Sequence, residues 1–389
     1  MLSKITYFKT TQKVIMGPGS IEKINDEIKE RKLKNVFVVT DEGLIKSGIC
    51  DFVIDKIKKS AKRIEVFSEV PPDPPIETAY KCYDKAKDKK IDLIIGLGGG
   101  SSLDIAKMLS VMLTNEDKIE NMFGINLVKK RGITKFLIPT TAGTGSEVTP
   151  IAILSDESEH LKKGVVSDYL LPEVAILDGE LTKTLPPMPT ASSGMDALIH
   201  AVEAFTSVNA NDYTDYLAIR AMDLISKNLR KAWANGDNLE ARQKMLEGSF
   251  LAGQAFANAG VTAVHAFAYP LGGEFHIPHG IANTVMLCPV LEFNMLSNLE
   301  KFAQLADIFC PNVINGRDLK EKSLIGITFL KELAEDLKLP MSLKELNVPF
   351  DAIEKLAEGV MKVTRLLANN PRKLSYQDAV SIYKEAYGE

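Results

Sequence analysis

Short apolar runs of strand length alternate with amphipathic stretches in the first half of the chain. Four of these runs, at positions 35–40, 91–97, 135–139 and 174–177, are predicted to be strands. Stretches with helical periodicity lie between the earlier runs, for example at 50–60 and 76–89. Near-continuous apolar strands that alternate with helices are typical of a parallel sheet covered by helices on both faces. We therefore predict an α/β fold for this half.

The pattern changes after a proline-rich segment at 185–190. Beyond it strand signals nearly vanish, and the stretches with helical periodicity are 193–207, 213–233, 241–257, 319–337, 349–364 and 375–387. A chain of 389 residues also exceeds the size at which a single hydrophobic core usually stops growing. We predict an α/β domain at 1–185, an all-helical domain at 186–389, and a ligand-binding cleft between them.

Composition narrows the class of protein. The chain is 45% hydrophobic and 25% charged with a formal net charge of -4, so it has no basic footprint for nucleic acid. No apolar run approaches the roughly 20 residues that span a bilayer, and residues 1–20 have no signal-peptide core. The four cysteines form no C-x-x-C pair, which leaves a thiolate zinc site unsupported. We expect a cytoplasmic protein that binds neither nucleic acid nor membrane.

A glycine-rich segment follows the second predicted strand and opens a helix. Gly98, Gly99 and Gly100 would let the backbone approach a phosphate closely. Ser101 and Ser102 can cap the helix or donate hydroxyl hydrogen bonds. The free N–H groups and positive dipole end of the helix add to an anion site. The motif is neither G-x-G-x-x-G nor a Walker A loop, so a tight strand-to-helix turn without a ligand stays open.

A second loop, at 139–147, follows the third predicted strand. It places Thr140, Thr141 and Thr144 beside two glycines, so hydroxyls and backbone amides can surround a nucleotide. Two such loops at the carboxyl ends of parallel strands match the crevice where open α/β sheets bind nucleotides. Asp41 ends the first strand, where a carboxylate accepts bonds from a ribose 2′-hydroxyl and repels a 2′-phosphate, which favours NAD over NADP. A simple turn aspartate is the alternative.

Four of the five histidines fall between positions 200 and 279. Asp196 and His200 have i, i+4 spacing, so they share one face of a predicted helix. His265 lies in a small-residue run predicted to be helical, and His279 lies in a Pro-His-Gly turn that could aim its ring at the same point. Three imidazoles and one carboxylate suit divalent iron or zinc. The alternative is that each histidine is a satisfied core residue and that Asp196 is only a helix-terminus charge.

These motifs, in this order, resemble those of the iron-containing (group III) alcohol dehydrogenases. The segments with the likeness are 98–107, 139–149, 194–200 and 265–280, and the resemblance extends over essentially the whole chain. It implies a Rossmann-like dinucleotide-binding domain, an all-α C-terminal domain, and an active site in the cleft between them. It implies metal ligands at Asp196, His200, His265 and His279. The cofactor contacts predicted on this basis are Asp41, Asp73, Gly98, Gly99, Gly100, Ser101, Ser102, Asp104, Thr140, Thr141, Thr144, Thr149, Lys163 and Leu181.

One position departs from the family pattern. Many members have a histidine, often invoked in proton relay, where this chain has Tyr269. A tyrosine hydroxyl could relay a proton, although its usual pKa of about 10 makes it a poor exchanger at neutral pH. His276, three residues before His279, is the alternative relay, and a structural role for His276 also stays open.

The expected function is that of an NAD-dependent alcohol dehydrogenase or aldehyde reductase acting on small primary alcohols or diols. A divalent metal, iron or alternatively zinc, would act as a Lewis acid while hydride moves to or from nicotinamide. Ile151, Phe256 and Phe267 are candidate lining residues of an apolar substrate pocket. Family likeness also suggests a homodimer. The rivals are a related metal- and NAD-dependent polyol dehydrogenase, a dehydroquinate synthase-like lyase, and a non-catalytic nucleotide-binding protein.

Overall fold

The computed structural model describes residues 5–157, 161–313 and 315–388. Within these ranges the strands are β1 (Lys13–Met16), β2 (Asn35–Val39), β3 (Arg63–Phe67), β4 (Leu93–Gly98), β5 (Gly124–Ile125), β6 (Lys135–Pro139), β7 (Ile151–Asp156), β8 (Leu161–Val166) and β9 (Val174–Leu177). The four predicted strands are confirmed as β2, β4, β6 and β9.

Six strands form one parallel sheet in the order β1-β9-β6-β4-β2-β3. Every residue of β4, β6 and β9 is buried, which is why these strands are apolar at successive rather than alternate positions. Because β3 and β4 lie on opposite sides of β2, the strand order reverses there and leaves a crevice at the carboxyl ends of β2 and β4. The predicted Rossmann-like parallel sheet is confirmed.

The sequence pattern does not predict the remaining strands. β1 and β3 are the edges of the large sheet, and most of their residues are exposed or half-buried, so their apolar signal is weak. β5, β8 and β7 form a second, three-stranded sheet in which β7 and β8 are antiparallel. The loop at 139–147, here called the threonine-rich loop, leads from the carboxyl end of β6 toward β7, so this small sheet begins near the carboxyl end of the large one.

Helices cover the sheet and make up the rest of the described chain. They are α1 (Ile24–Glu30), α2 (Glu42–Lys46), α3 (Ile49–Ile57), α4 (Ile76–Ala86), α5 (Gly100–Met112), α6 (Pro187–Thr206), α7 (Asp212–Ala234), α8 (Leu239–Ala259), α9 (Ala263–Phe275), α10 (His279–Met295), α11 (Leu299–Phe309), α12 (Leu319–Asp336), α13 (Ile353–Lys362), α14 (Thr364–Leu367) and α15 (Tyr376–Tyr387). From α6 onward the described chain has no strand, which confirms the predicted helical C-terminal part. The boundary near Pro186 stays a prediction.

Two of the differences between predicted and observed helix starts affect residues of the candidate site. α6 begins at Pro187 rather than near Ser193, because the N–H groups of a first helical turn have no partner within the helix and prolines cost nothing there. The earlier start puts Asp196 and His200 in the helix interior, where the backbone holds them firmly. His279 was expected in a turn, and the structure makes it the first residue of α10.

The core has one part on each face of the large sheet and a larger part within the helical half. A close glycine contact joins the two halves. Gly145, in the threonine-rich loop, has φ +59, and a Cβ there would lie 2.7 Å from the Cα of Gly253 in α8. Both glycines are needed for the loop to approach the helix this closely. No helix in the described ranges is both long and apolar enough to cross a membrane.

Candidate metal and cofactor site

One face of α6 buries three ionisable side chains. Asp196, His200 and Glu203 are spaced i, i+4 and i+7, which places them on the same side of the helix. Their exposed fractions are 3%, 5% and 0%. Buried charges require partners, because an isolated ionised group is strongly disfavoured away from water. Two further helices supply the partners, with His265 on α9 and His279 on α10.

The ring nitrogens and the carboxylate converge on one point. His265 Nε2 lies 2.9 Å from His200 Nε2 and 3.8 Å from Asp196 Oδ1. His279 Nε2 also lies 3.8 Å from Asp196 Oδ1. The candidate ligand atoms of Asp196, His265 and His279 are within 4.8 Å of one another. Metal–ligand bonds of roughly 2.0–2.2 Å place neighbouring ligand atoms roughly 3–4 Å apart, so a divalent iron or zinc ion fits among these residues.

Hydrogen bonds to Nδ1 of His265 and of His200 determine that Nε2 is the ring nitrogen available to bind a metal. His265 Nδ1 donates to Glu203 Oε2, and His200 Nδ1 donates to the Gly143 carbonyl oxygen at 3.3 Å. Because these oxygens accept, both Nε2 atoms are left as lone-pair acceptors that face each other. Two acceptors 2.9 Å apart repel unless a positive charge lies between them. The donor set therefore fits a metal ion on chemical as well as geometric grounds.

Asn283, one turn after His279 on α10, lies against the same cluster. Its Nδ2 donates to Asp196 Oδ1 at 2.8 Å and is 3.2 Å from the Nε2 atoms of both His265 and His279. Its Oδ1 is buried and has no hydrogen-bond partner among the residues that the structure describes. The amide N–H end of Asn283 therefore lies beside the same acceptor atoms that would bind the ion. Asn283 is not among the residues predicted from the sequence, although its i+4 spacing from His279 was an available signal.

Glu203 is the second residue that the sequence analysis missed. Its Oε1 accepts the backbone N–H groups of Thr262 at 2.9 Å and Val264 at 2.8 Å, and the Thr262 hydroxyl at 2.7 Å. Its other oxygen accepts from His265 Nδ1. One buried carboxylate therefore fixes the start of α9 and the orientation of the His265 ring. Its position on the Asp196 face of α6 was the signal in the sequence.

Burial and charge set the protonation of the cluster. Burial lowers the pKa of His200 to about 4 and the pKa of His279 to about 3, so both rings are neutral at pH 7. Burial acts to raise the pKa of Asp196, but the facing rings of His200, His279 and His265 lower it to about 2. Burial acts to lower the pKa of His265 too, but the Glu203 and Asp196 carboxylates raise it. Neutral imidazoles and an ionised carboxylate are the states that bind a metal, so a bound cation would favour the neutral form of His265.

The glycine-rich segment lies at the crevice in the sheet. Gly98 has φ +148, and a Cβ there would fall on Ser102 and 3.2 Å from Asp41 Oδ2. Asp41 Oδ1 accepts the N–H of Leu44 at 3.1 Å and so caps α2. One carboxylate oxygen of Asp41 thus has a structural role, as the turn alternative expected, and the other faces the glycine-rich segment.

The two loops predicted to surround a nucleotide lie side by side. A Cβ on Gly99 would be 3.5 Å from Thr141 Oγ1, and a Cβ on Gly100 would be 2.6 Å from Thr144 Cγ2. α5 begins at Gly100, so its first N–H groups have no partner within the helix. Free amides and a positive helix end at this point suit a phosphate group.

The side chains of Asp104 and Thr149 form hydrogen bonds with other protein groups. Asp104 accepts the Ser146 hydroxyl at 2.5 Å and a backbone N–H of β7 at 2.9 Å. Lys107 is fully buried and donates to Asp104 at 3.3 Å, to Thr149 Oγ1 at 3.2 Å and to the Ile151 carbonyl at 2.7 Å. These bonds fasten α5 to the threonine-rich loop and to β7.

A cavity of about 230 Å³ joins the metal cluster to the glycine-rich segment. Predicted site residues that line it are Asp73, Gly100, Ser101, Asp104, Thr144, Thr149, Asp196, His200, His265, Tyr269 and His279. Ile151 and Phe256 line it as expected, and the Phe256 ring stacks on His200 with centroids 4.3 Å apart. The cavity therefore has a polar metal-binding end and a phosphate-binding end joined by apolar walls.

Family models that match this chain are those of metal-containing dehydrogenases, in agreement with the metal cluster and the phosphate-binding segment described above. A model of iron-containing alcohol dehydrogenases matches residues 11–179, and a model of the C-terminal part of the Fe-containing alcohol dehydrogenase family matches residues 190–387. This chain belongs to the iron-containing alcohol dehydrogenase family. The long-chain-alcohol dehydrogenase 1 of Geobacillus thermodenitrificans is 42% identical over 379 residues, which are 96% of this chain and 94% of that protein.

Solved structures share the whole architecture of this alcohol dehydrogenase. A 1,3-propanediol oxidoreductase superposes with a TM-score of 0.95 at 34% identity, over 99% of this chain and 100% of that one. The sulfoacetaldehyde reductase of Bifidobacterium kashiwanohense, in complex with NAD+, superposes with a TM-score of 0.87 at 28% identity, over 99% and 100% of the two chains. The dehydrogenase is therefore an alcohol oxidoreductase.

Several predicted residues of the dehydrogenase do not line the cavity, namely Asp41, Gly98, Gly99, Ser102, Thr140, Thr141, Lys163, Leu181 and His276. Leu181 is buried in the core beside the sheet. His276 ends α9 in the left-handed region with φ 54, and its side chain is exposed. The expectation that Phe267 lines the pocket is wrong, because its fully buried ring packs on Tyr383 with centroids 4.9 Å apart.

The lysine that lines the cavity is Lys162, one residue before the predicted Lys163. Neighbouring side chains on a strand point to opposite faces, so only one of the two can face the cavity. Lys162 donates to Asp73 Oδ1 at 2.6 Å, and Asp73 N–H donates to the Ser101 hydroxyl at 3.2 Å. Lys163 pairs with Asp156 at 2.8 Å instead. The sequence alone did not show which lysine faces inward, because it did not predict β8.

We expect Gly280→Ala to weaken both metal binding and stability. A Cβ on Gly280 would overlap the Ser192 carbonyl oxygen, so α10 and its His279 must move away from α6. Overpacking of this kind costs about 1–3 kcal/mol. Denaturant unfolding and metal content measure the two effects. Gly272→Ala is the matched control, because its Cβ would meet only ordinary contacts at 3.7 Å. Equal stability and metal content in both variants would contradict the prediction.

Proposed function

We propose that this dehydrogenase interconverts small primary alcohols or diols and their aldehydes. NAD carries the hydride, and a divalent metal, iron rather than zinc, binds at Asp196, His200, His265 and His279. The observation behind the proposal is that these four side chains converge at one end of the cavity that the glycine-rich segment closes at the other. The family and the NAD+ complex of a solved relative support iron and NAD.

The chain's own residues prepare the site for this chemistry. A cation at the cluster would supply Lewis-acid polarisation of the substrate oxygen, and nicotinamide would supply or accept the hydride. Glu203 holds His265 with Nε2 toward the cluster, and Asn283 holds the Asp196 carboxylate. Phe256 packs on His200 and keeps water from that side. These contacts fix the ligands before substrate arrives, which lowers the cost of reorganisation during the reaction.

Proton transfer by Tyr269 or His276 stays a prediction. Tyr269 lines the cavity, and burial raises the pKa of its hydroxyl, which keeps it protonated at neutral pH. It can therefore donate a hydrogen bond without acting as a base. His276 is exposed at the end of α9 and does not line the cavity, so Tyr269 is the better placed of the two.

Net NADH formation tests the proposed reaction. Iron-loaded protein is mixed with NAD and a panel of short primary alcohols and diols, and NADH absorbance is followed together with the aldehyde formed. A dehydrogenase yields one NADH for each aldehyde. A dehydroquinate synthase-like lyase recycles its cofactor and accumulates none, and a nucleotide-binding protein turns over no alcohol. No NADH with any alcohol in the panel, together with no aldehyde reduction, would contradict the proposal.

Asp41→Asn should shift the cofactor preference toward NADP. Asparagine keeps the cap on α2 because it is an equally good N-cap, but it removes the charge that would repel a 2′-phosphate. We expect kcat/KM for NADP relative to NAD to rise about 10- to 100-fold, since like charges in contact cost several kcal/mol. Steady-state kinetics with both cofactors measures the ratio. An unchanged ratio with intact stability would mean that Asp41 acts only as a cap.

We also propose that the enzyme is a cytoplasmic homodimer. Family likeness suggests the dimer, and the composition suggests the location. Light scattering during size-exclusion chromatography should give twice the mass of the chain. A mass equal to one chain at micromolar concentration would contradict the dimer without affecting the proposed reaction.

A further inference from the structure

A second cavity, of about 510 Å³, adjoins the metal-binding cavity on the side away from the glycine-rich segment. The two cavities share three lining residues, Lys162, Tyr269 and Arg365. The outer cavity is otherwise lined by residues of β8, α9, α13 and α14. A substrate bound at the metal therefore has Tyr269 and Arg365 beyond its far end.

The wall of this outer cavity is rich in cations, which are Lys162, Lys163, Lys355, Lys362 and Arg365, with Glu274 and Glu358 as the acids. Three of the lysines have acidic partners: Lys162 pairs with Asp73, Lys163 with Asp156 and Lys355 with Glu274. Arg365 has no ion pair with any residue that the structure describes. It lines both cavities together with Tyr269.

The backbone beneath Arg365 is held in place. Leu366 is 1% exposed and packs in the helical core. Asn369 donates to the Val261 carbonyl at 3.0 Å, and Asn370 exchanges two hydrogen bonds of 2.8 Å with Asn294 of α10. The short helix α14 is thereby tied to the helices that position His265 and His279. The backbone that carries Arg365 is therefore anchored, while its side chain is exposed and lines the cleft.

We propose that Arg365 and the Tyr269 hydroxyl bind an anionic group at the far end of the substrate, so that the preferred substrates are short aldehydes and alcohols bearing a carboxylate or sulfonate. A planar guanidinium donates two parallel hydrogen bonds to such groups, and a neutral chain would leave this cation unused. The Tyr269 and His279 ring centroids are 6.1 Å apart, so the anion site lies close to the metal cluster, which suits a short chain. This inference rests on the proposed function.

The test compares aldehydes that differ in charge. Succinate semialdehyde and sulfoacetaldehyde are the anionic probes, and butanal and acetaldehyde are the neutral ones, each with NADH and iron-loaded protein. For Arg365→Gln we expect KM for the anionic aldehydes to rise about 10- to 100-fold, the effect of losing a charged hydrogen bond, with little change in kcat. KM for the neutral aldehydes should stay within about twofold. The better wild-type kcat/KM of the two anions tells whether carboxylate or sulfonate is preferred.

Two further variants separate specific binding from general attraction. Arg365→Lys should give an intermediate KM, because it keeps the charge and loses the forked geometry. Lys355→Gln removes a cation that Glu274 already neutralises, so KM for the anions should stay within about twofold. Equal loss with Lys355→Gln, equal changes for neutral and anionic aldehydes, or a raised KM for NADH in Arg365→Gln would overturn the inference.

A binding measurement makes failure of this inference distinguishable from failure of the proposed function. Isethionate, the alcohol of sulfoacetaldehyde, is titrated calorimetrically into the NADH complex, in which it cannot react. The Kd should weaken about 10- to 100-fold in Arg365→Gln. No aldehyde turnover by the wild-type protein would remove the proposed function. Turnover of neutral aldehydes combined with an isethionate Kd that Arg365→Gln does not change would remove only the anion site.

Discussion

Replacing His265 by alanine should empty the metal site and lower kcat/KM for alcohol oxidation at least about 10³-fold, because loss of the Lewis acid removes several kcal/mol of transition-state stabilisation. The ring is 2% exposed, and its Nε2 lies within 3.8 Å of both His200 and Asp196. The alanine methyl group cannot bind a metal, and the three remaining ligands are too few to bind the ion tightly. Elemental analysis of the purified variant and NADH formation measure the two effects.

His276→Ala is the comparison for this prediction. The side chain of His276 is exposed and lies outside the cavity, so metal content should be unchanged and the rate should stay within about twofold. A His265→Ala protein that keeps its metal and its activity would show that this cluster is not the metal site. A His276→Ala protein that keeps its metal but loses its rate would support the proton-relay hypothesis for His276.

Glu203→Gln should weaken metal binding about 10- to 100-fold, the usual effect of removing the partner of a metal-binding histidine. The carboxylate accepts from His265 Nδ1 and from donors of Thr262 and Val264, so an amide of the same shape must turn one N–H end toward a donor. The His265 ring then loses the bond that directs Nε2 toward the cluster. Titration with a competing chelator gives the metal Kd, and circular dichroism shows whether the metal-free fold is retained.

Glu147→Gln is the matched control for Glu203→Gln. Glu147 is similarly inaccessible to solvent, at 2% exposed, but it lies in the threonine-rich loop and, within the described part of the chain, forms no hydrogen bond with the metal cluster. Burial raises the pKa of its carboxyl to about 7, so the neutral amide resembles a state that the acid already populates near pH 7. We expect the metal Kd to change by less than about twofold. Equal weakening in both variants would mean that Glu203 acts only through general stability.

The strands that can be predicted from the sequence are those whose own residues show a clear apolar pattern. β4 is apolar throughout and β6 is apolar after its first residue, Lys135, because both faces are buried, so their pattern predicts them directly. β8 depends on its pairing with β7, and Lys162 and Lys163 within it give no apolar alternation. Lys163 was predicted from the family resemblance alone, and the structure brings the neighbouring Lys162 to the cavity.

The residues of the candidate site also fall into two groups, those related by local sequence spacing and those brought together only by the fold. Asp196 and His200 are one helical turn apart, so the sequence shows that they share a face. The approach of His265 to His200 joins residues 65 positions apart, and no local pattern encodes it. Motif resemblance supplied that pairing. It did not supply Arg365, whose relation to Tyr269 exists only once α14 packs against α9.

Removal and return of the metal tests the central claim most directly. The wild-type protein is stripped with a chelator, and ferrous iron or zinc is restored without oxygen while NADH formation from a short primary alcohol is followed. We predict no activity in the stripped protein, recovery with one equivalent of metal, and greater recovery with iron than with zinc. Full activity in the metal-free protein would contradict the account, and so would recovery of the same size in a His265→Ala protein treated in parallel.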